Sequence, residues 1–212
     1  VWPYFVKTPF QPRFELEDAY RLCEQLDVDL IVLDYDILTD ETVVSNPPDR
    51  CYHCKRWMFS KLKRYAASEG FSLLIDGTNA SDDGGDRPGM RALAELEVRS
   101  PLRECGLTKA QIRELSRQAG LFTWDKPSYA CLATRFPAGR AITRAGLETV
   151  ERGEEALYAL GFRDFRLRLT PDGCKLQAPE GQLSLALERR KDILSALEAD
   201  FSQIALDLRP RV

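Results

Sequence analysis

The segment FSLLIDGTN, residues 71–79, decides the fold class, because an apolar run of strand length ends in small polar residues. Such runs are typical of strands buried in parallel sheets. Open α/β sheets bind their ligands beyond the carboxyl ends of these strands. The segment therefore predicts a sheet strand over 71–75, followed by a ligand-binding edge at Asp76, Gly77, Thr78 and Asn79.

The residues on either side alternate between strand and helix patterns. Residues 1–6 and 28–35 predict strands, and apolar residues at i, i+3 and i+4 predict helices over 15–26, 55–69 and 89–97. Thr108 and Gln111 have the spacing of a capping box, and Gly120 closes the helix that follows. This alternation with short links predicts a doubly wound parallel α/β domain, residues 1–138.

The order of predicted strands and helices changes after Gly139. Residues 143–160 predict a long helix, and residues 162–169 and 174–178 predict two strands that pair across a Pro-Asp-Gly turn. A helix over 182–197 and a strand over 204–208 complete an α-β-β-α-β pattern. Residues 139–212 are therefore predicted to form a small α+β domain.

Composition limits the function classes. The chain has 212 residues and a formal net charge of -3, so no global basic field is available to hold nucleic acid. No apolar run reaches the roughly 20 residues that span a bilayer, and no secretory leader pattern is seen. These features predict a cytoplasmic protein without a membrane partner.

Three of the six cysteines are candidate metal ligands. Cys51 and Cys54 follow a double proline, which suggests a loop that presents two thiols to one metal, and Cys131 is the best candidate for a third ligand. Three ligands would leave the open position that is typical of catalytic metals. The pair is also compatible with a redox dithiol, a zinc site, an iron–sulfur half-site or no cofactor. Cys23 and Cys174 are expected to fill apolar space.

Several charged residues are candidate binding groups. Arg166 and Arg168 are two residues apart on a predicted strand, so their side chains share a face that is either solvated or a fork for phosphate or carboxylate. Arg135 could serve the same anion. Glu154, on the long helix, is a weak candidate for acid/base work, with a salt-bridged surface as the alternative. The acidic residues Asp82, Asp83 and Asp86 predict a solvated loop or a Mg²⁺ site.

Five motifs in order resemble the LarE family. They are NPPDRCYHCK at 46–55, DGTN at 76–79, DRPG at 86–89, VRSPL at 98–102 and KPSYACLATR at 126–135. The resemblance implies a PP-loop ATP pyrophosphatase domain, of the adenine nucleotide alpha hydrolase type. It also implies a sulfur transferase for the nickel-pincer nucleotide cofactor, working as a homo-oligomer of up to six subunits.

The resemblance also implies residue roles. ATP with Mg²⁺ would adenylylate a carboxylate of a pyridinium mononucleotide, and sulfur from a sulfide or persulfide donor would then give a thiocarboxylate. A [4Fe-4S] cluster on Cys51, Cys54 and Cys131 is implied, with Cys131 taking part in the transfer. Arg135, Arg166 and Arg168 would grip the substrate phosphate. Residues 76–79 and Arg87 would line the ATP side.

The chain departs from the family pattern in three places. The Ser-Gly-Gly-x-Asp-Ser nucleotide loop would precede residue 1, and the tyrosine usual before Arg-Pro-Gly is replaced by Asp86. The segment 175–177 is less acidic than expected, which leaves one catalytic carboxylate unassigned. Two alternatives stay open: a cluster-dependent tRNA thiolation enzyme, which the net charge disfavours, and a zinc-stabilised binding module without catalysis.

Overall fold

The structure is a computed structural model that describes residues 1–82 and 88–211. Its helices are α1 Arg13–Gln25, α2 Glu41–Val44, α3 Arg50–Ser68, α4 Pro88–Glu95, α5 Pro101–Glu104, α6 Lys109–Gln118, α7 Arg144–Ala159, α8 Leu183–Glu188 and α9 Arg190–Leu197. Its strands are β1 Tyr4–Lys7, β2 Ile31–Asp34, β3 Arg166–Thr170, β4 Gly173–Gln177 and β5 Gln203–Leu206. Short 3₁₀ helices lie at Ile37–Thr39, Phe122–Asp125, Leu132–Arg135 and Glu180–Gln182.

The described residues form two compact units. The first contains Val1–Thr8, Arg13–Val43 and Pro47–Lys126, and the second contains Pro9–Pro12, Val44–Asn46 and the chain from Pro127 onward. The functional division predicted at residue 138 stays a prediction. No helix among the described residues is long and apolar enough to span a membrane.

A β-α-β segment opens the first unit. Strands β1 and β2 pair in parallel, with Tyr4 opposite Ile31 and Lys7 opposite Asp34, and α1 connects them. Parallel neighbours require a crossover of this kind. This arrangement and the mixed sheet of the second unit confirm an α/β class in its broad sense.

The strand predicted over 71–75 is wrong in extent. Only Ile75 pairs, as an isolated parallel bridge to Arg99, with Arg99 N donating to Leu74 O at 2.9 Å. The side chains of Leu73 and Ile75 are 57% and 47% exposed. The apolar pattern is typical of a strand, but among the described residues this segment makes no strand pairing beyond the single bridge.

Helix α3 begins five residues earlier than predicted. The backbone N–H of Arg50 donates to Pro47 O at 2.9 Å, and that of Tyr52 donates to Asp49 O at 2.8 Å. The proline turn therefore runs directly into the helix, with Asp49 at its N-cap. The two cysteines consequently lie in the first helical turn and not in the predicted loop. The capping box of Thr108 and Gln111 is confirmed at the start of α6.

The second unit has the three predicted strands in the predicted order, with α7 before β3 and two helices, α8 and α9, between β4 and β5. Strand β4 pairs antiparallel with β3 and parallel with β5, so the predicted hairpin across Pro171-Asp172-Gly173 is confirmed. Gly173 permits close packing, since a Cβ there would lie 2.0 Å from Gln203 O. The buried side chains between α7, α9 and the sheet include Val150, Leu157, Leu167, Leu176 and Leu197.

The single helix predicted over 182–197 is wrong. The chain forms α8 and α9, and Arg189 between them leaves helical geometry at φ -90° and ψ 14°. Residues 183–197 contain neither glycine nor proline. Glycine and proline are the usual local signals of a helix break. The sequence therefore contains no local signal for the break at Arg189.

Candidate functional site

Cys51 and Cys54 project from one turn of α3. Residues three apart on a helix lie on the same face, and Cys51 is exposed while Cys54 is half-buried. The guanidinium of Arg50 contacts the sulfur of Cys51, with Nη2 to Sγ at 3.7 Å. Sequence reasoning missed Arg50, although it directly precedes the pair. The turn therefore offers two thiols and an adjacent positive charge to one ligand.

Helix α4 packs closely on this turn. A Cβ on Gly89 would lie 3.0 Å from Lys55 Cδ and 3.7 Å from the carbonyl oxygen of Cys51. The hydroxyl of Tyr52 donates to Glu95 Oε2 at 2.7 Å, which ties the first turn of α3 to α4. The cysteine pair is thus held on a rigid element.

His53 lies between the two cysteines. Its Nε2 is 3.2 Å from Asp49 Oδ2, one helical turn back. The imidazole is therefore engaged with a neighbouring carboxylate.

Side-chain hydrogen bonds fix the conformation of the polar segment 76–79. The carboxylate of Asp76 accepts from Thr78 N at 3.2 Å, Thr78 Oγ1 at 2.6 Å and Ser100 Oγ at 2.7 Å. The backbone N–H of Asn79 donates to Asp82 Oδ2 at 3.0 Å. At Gly77, a Cβ would meet no atom within 4 Å. These hydrogen bonds hold the segment in one conformation, and its role in binding ATP stays a prediction.

The other residues predicted near this loop are Asp83, Asp86 and Arg87. All three lie outside the described residues. Their predicted roles in Mg²⁺ and ATP binding stay predictions.

Cys131 belongs to the second unit, whereas Cys51 and Cys54 belong to the first. It is half-buried and directly precedes the 3₁₀ helix Leu132–Arg135. Within residues 1–82 and 88–211, no three or more His, Cys, Asp or Glu side chains are grouped closely enough to hold a metal. The α3 thiols supply two of the three predicted donors, and the described residues do not assemble the full set.

Arg135 is the largest fully buried side chain of the described residues. Its Nε and Nη2 donate to the two carboxylate oxygens of Glu154 at 2.7 and 2.9 Å. Its Nη1 donates to the carbonyl of Ala130 at 2.9 Å and to Thr134 Oγ1 at 2.8 Å, with the Cys131 carbonyl at 3.4 Å. Arg135 therefore holds the backbone on both sides of Cys131 in place.

Glu154 receives two further donors. The Tyr129 hydroxyl donates to Oε2 at 2.5 Å, and the backbone N–H of Leu167 donates to Oε1 at 2.9 Å. Burial, reinforced by the charge of Glu154, raises the pKa of Tyr129, so its phenol stays a donor. The side chain of Glu154 is 3% exposed and its two oxygens accept four hydrogen bonds in all, so it does not lie on a salt-bridged surface. Its predicted acid/base role stays a prediction.

Arg166 and Arg168 differ in exposure although both lie on β3. Arg166 is buried, with Nη1 donating to Phe165 O at 2.6 Å and Nη2 to Ser128 O at 2.7 Å. Arg168 is exposed. The sequence did not indicate this difference, because the partners of Arg166 are backbone carbonyls.

The arginines of this unit lie close enough to influence one another. Desolvation lowers the pKa of both Arg166 and Arg168, and the positive charges of Arg135 and Arg211 lower it further. Arg211, which sequence reasoning missed, pairs with Asp164. Glu154 and Asp164 act in the opposite direction and raise the pKa of Arg166.

No protein-family profile matches the chain. An uncharacterized protein of Synechocystis sp. is 34% identical over 169 residues, which cover 80% of this chain and 63% of the relative. An uncharacterized protein of Methanocaldococcus jannaschii is 30% identical over 167 residues, covering 76% and 64%. The chain thus spans somewhat less than two thirds of these two relatives.

A third relative has a named activity. The pyridinium-3,5-bisthiocarboxylic acid mononucleotide synthase of Lactiplantibacillus plantarum is 30% identical over 195 residues. That match covers 92% of this chain and 71% of the synthase. The chain therefore belongs to the LarE family, that of pyridinium-3,5-bisthiocarboxylic acid mononucleotide synthase.

Proposed function

We propose that the protein is an ATP-dependent sulfur transferase that converts a carboxylate of pyridinium-3,5-biscarboxylic acid mononucleotide into a thiocarboxylate. The observation that carries this proposal is the match over 92% of the chain to a relative named as the bisthiocarboxylic acid mononucleotide synthase. The neighbouring arginines of the second unit, Arg135, Arg166, Arg168 and Arg211, support it, because the substrate carries a phosphate and two carboxylates.

The reaction has two steps. A substrate carboxylate oxygen attacks the α-phosphorus of ATP, and pyrophosphate leaves with Mg²⁺ offsetting its charge. A sulfur nucleophile then attacks the activated carbonyl carbon, and AMP departs with the former carboxylate oxygen. Residues 76–79 and Arg87 are proposed to line the ATP side of a PP-loop domain. The closed hydrogen bonding around Asp76 supports this role, since it gives the loop a defined shape.

The arginines of the second unit are proposed to receive the substrate phosphate. Arg168 is exposed and would contact the phosphate directly, since a guanidinium matches phosphate geometry. Arg135 and Arg166 are buried and would contribute through their charge and by fixing the surrounding backbone. Glu154 is proposed to act by holding Arg135.

Cys51, Cys54 and Cys131 are proposed to hold a [4Fe-4S] cluster, and Cys131 to take part in the transfer. When bound, such a cluster would supply a sulfide replenished by a sulfide or persulfide donor. The placement of two thiols on one rigid turn beside Arg50 supports the proposal, since thiolates favour positive surroundings. A cytoplasmic homo-oligomer of up to six subunits is part of the same proposal.

Pyrophosphate release tests the activation step. The protein with ATP and Mg²⁺ is expected to release pyrophosphate only when pyridinium-3,5-biscarboxylic acid mononucleotide is added, and to release AMP only when sulfide is added as well. Nicotinamide mononucleotide, which has the phosphate but no carboxylate, serves as the matched control. Equal release with both nucleotides, or with neither, would contradict the proposed activation of a carboxylate.

A further inference from the structure

The exposed face of the β3-β4-β5 sheet carries a chain of polar side chains that ends at Arg168. Arg168 lies opposite Lys175, and Arg166 lies opposite Gln177, in the β3–β4 register. Alternate residues share a face of a sheet, so Arg168 and Gln177 are diagonal neighbours on the same face. Asp207 follows β5 directly and lies beside Gln177.

Hydrogen bonds lead from Arg168 through Gln177 to Asp207, which also pairs with Lys175. Lys175 Nζ lies 2.9 Å from Asp207 Oδ2, and Gln177 Nε2 donates to the same oxygen at 2.9 Å. Gln177 Oε1 in turn accepts from Arg168 Nε, and Arg168 Nη1 donates to the carbonyl of Thr134 at 2.7 Å. Two of the three guanidinium nitrogens of Arg168 are therefore fixed by neutral acceptors.

Asp207 decides which end of the Gln177 amide meets Arg168. An ionised carboxylate only accepts hydrogen bonds, so the amide must turn its NH₂ group toward Asp207 and its carbonyl toward the guanidinium. The hydrogen bond from Gln177, followed by those from Lys175 and the Arg209 backbone, lowers the pKa of Asp207 to about 2. Asp207 thus stays an acceptor, and the amide is held in one orientation.

Arg168 has no carboxylate partner within ion-pair distance in the described part of the chain, unlike Arg135 with Glu154 and Arg211 with Asp164. Burial and the charges of two neighbouring arginines, Arg135 and Arg211, lower the pKa of Arg168 overall, although Glu154 raises it. Nη2 is the third nitrogen of the exposed guanidinium, and it is the atom that we expect an anion to contact.

We infer that Gln177, oriented by Asp207, is a positioning residue that aims Arg168 at the phosphate of the substrate. This inference rests on the proposed function for the identity of the anion, but the binding step can be measured without turnover. Segment 175–177 thus contributes an amide where an acidic residue was expected. A carboxylate at position 177 would neutralise Arg168, whereas an amide orients the guanidinium and leaves its charge available.

The test is the Kd for nicotinic acid mononucleotide, measured by calorimetry without ATP. Gln177→Met keeps the length of the side chain but removes the acceptor, and is expected to weaken binding roughly 5- to 10-fold. Asp207→Asn is expected to weaken it by a smaller factor, since an asparagine does not impose one amide orientation. Gln177→Glu is expected to weaken it most of the three. Gln203→Met, an exposed site on β5, is the matched control and should leave Kd unchanged.

Thermal unfolding and an Arg168→Gln variant separate the outcomes. The inference requires unchanged unfolding midpoints and a lost Arg168 Nε hydrogen-bond signal in the NMR spectrum of Gln177→Met. If Arg168→Gln loses binding while Gln177→Met does not, the positioning role is wrong and the phosphate site stands. If wild-type protein does not bind the mononucleotide, or if neither variant changes Kd, the inference is overturned. If Gln177 controls binding but no pyrophosphate is released with ATP, the proposed function fails and the inference survives.

Discussion

Replacement of Cys131 by serine is expected to lower thiocarboxylate formation roughly a thousand-fold or more, because serine supplies neither a thiolate ligand nor a transferable sulfur. The same variant should lose iron and acid-labile sulfide when it is purified without oxygen. The measurements are product formation by mass spectrometry and the iron and sulfide content per chain. The iron-free variant should unfold at the same midpoint as unsubstituted protein prepared without iron, since Cys131 is only half-buried.

Cys105→Ser is the matched control for this variant. Cys105 is exposed at the end of α5 and is not among the proposed ligands, so iron content and product formation should match those of the unsubstituted protein. Full iron content in Cys131→Ser would contradict the assignment of Cys131 as a ligand. Undiminished product would contradict its part in the transfer.

Replacement of Glu154 by leucine is expected to destabilise the protein by about 3–5 kcal/mol, because it leaves the buried guanidinium of Arg135 without its charge partner. The side chains of Arg135 and Glu154 are 0% and 3% exposed, so water cannot replace the lost carboxylate. The free energy of unfolding in urea measures this effect. A double variant, Arg135→Met with Glu154→Leu, should recover part of the loss because no unpaired charge remains.

A surface ion pair provides the comparison. Arg152 and Asp200 lie 2.7 Å apart but are 55% and 30% exposed, so Asp200→Ala should cost no more than about 1 kcal/mol. A loss of that small size for Glu154→Leu would show that Glu154 does not hold the core of the second unit. An acid/base role would then be the favoured role of Glu154.

The local parts of the fold were predictable from sequence. The capping box at Thr108 and the hairpin around Gly173 depend on residues within a few positions of one another, and both are present. The double proline predicts a loop before α3, whereas in the structure the prolines form a turn that leads directly into the helix at Arg50. The strand at 71–75 was overextended because a ladder depends on a neighbouring strand, which the local pattern does not contain.

The site was predictable by residue type more than by environment. The sequence predicts the same phosphate-binding role for Arg135, Arg166 and Arg168. In the structure Arg135 and Arg166 are buried and Arg168 is exposed. This difference depends on partners distant in sequence, such as Glu154 for Arg135 and Ser128 for Arg166. The cysteine spacing predicted a shared face correctly, because i and i+3 coincide on a helix.

The most direct measurement is the mass of the product after anaerobic incubation with pyridinium-3,5-biscarboxylic acid mononucleotide, ATP, Mg²⁺ and sulfide. The predicted result is a nucleotide in which sulfur replaces one carboxylate oxygen, formed with AMP and absent when ATP is omitted. Unchanged biscarboxylic acid in the complete reaction, or the same thiocarboxylate without ATP, would contradict ATP-dependent sulfur transfer by this protein.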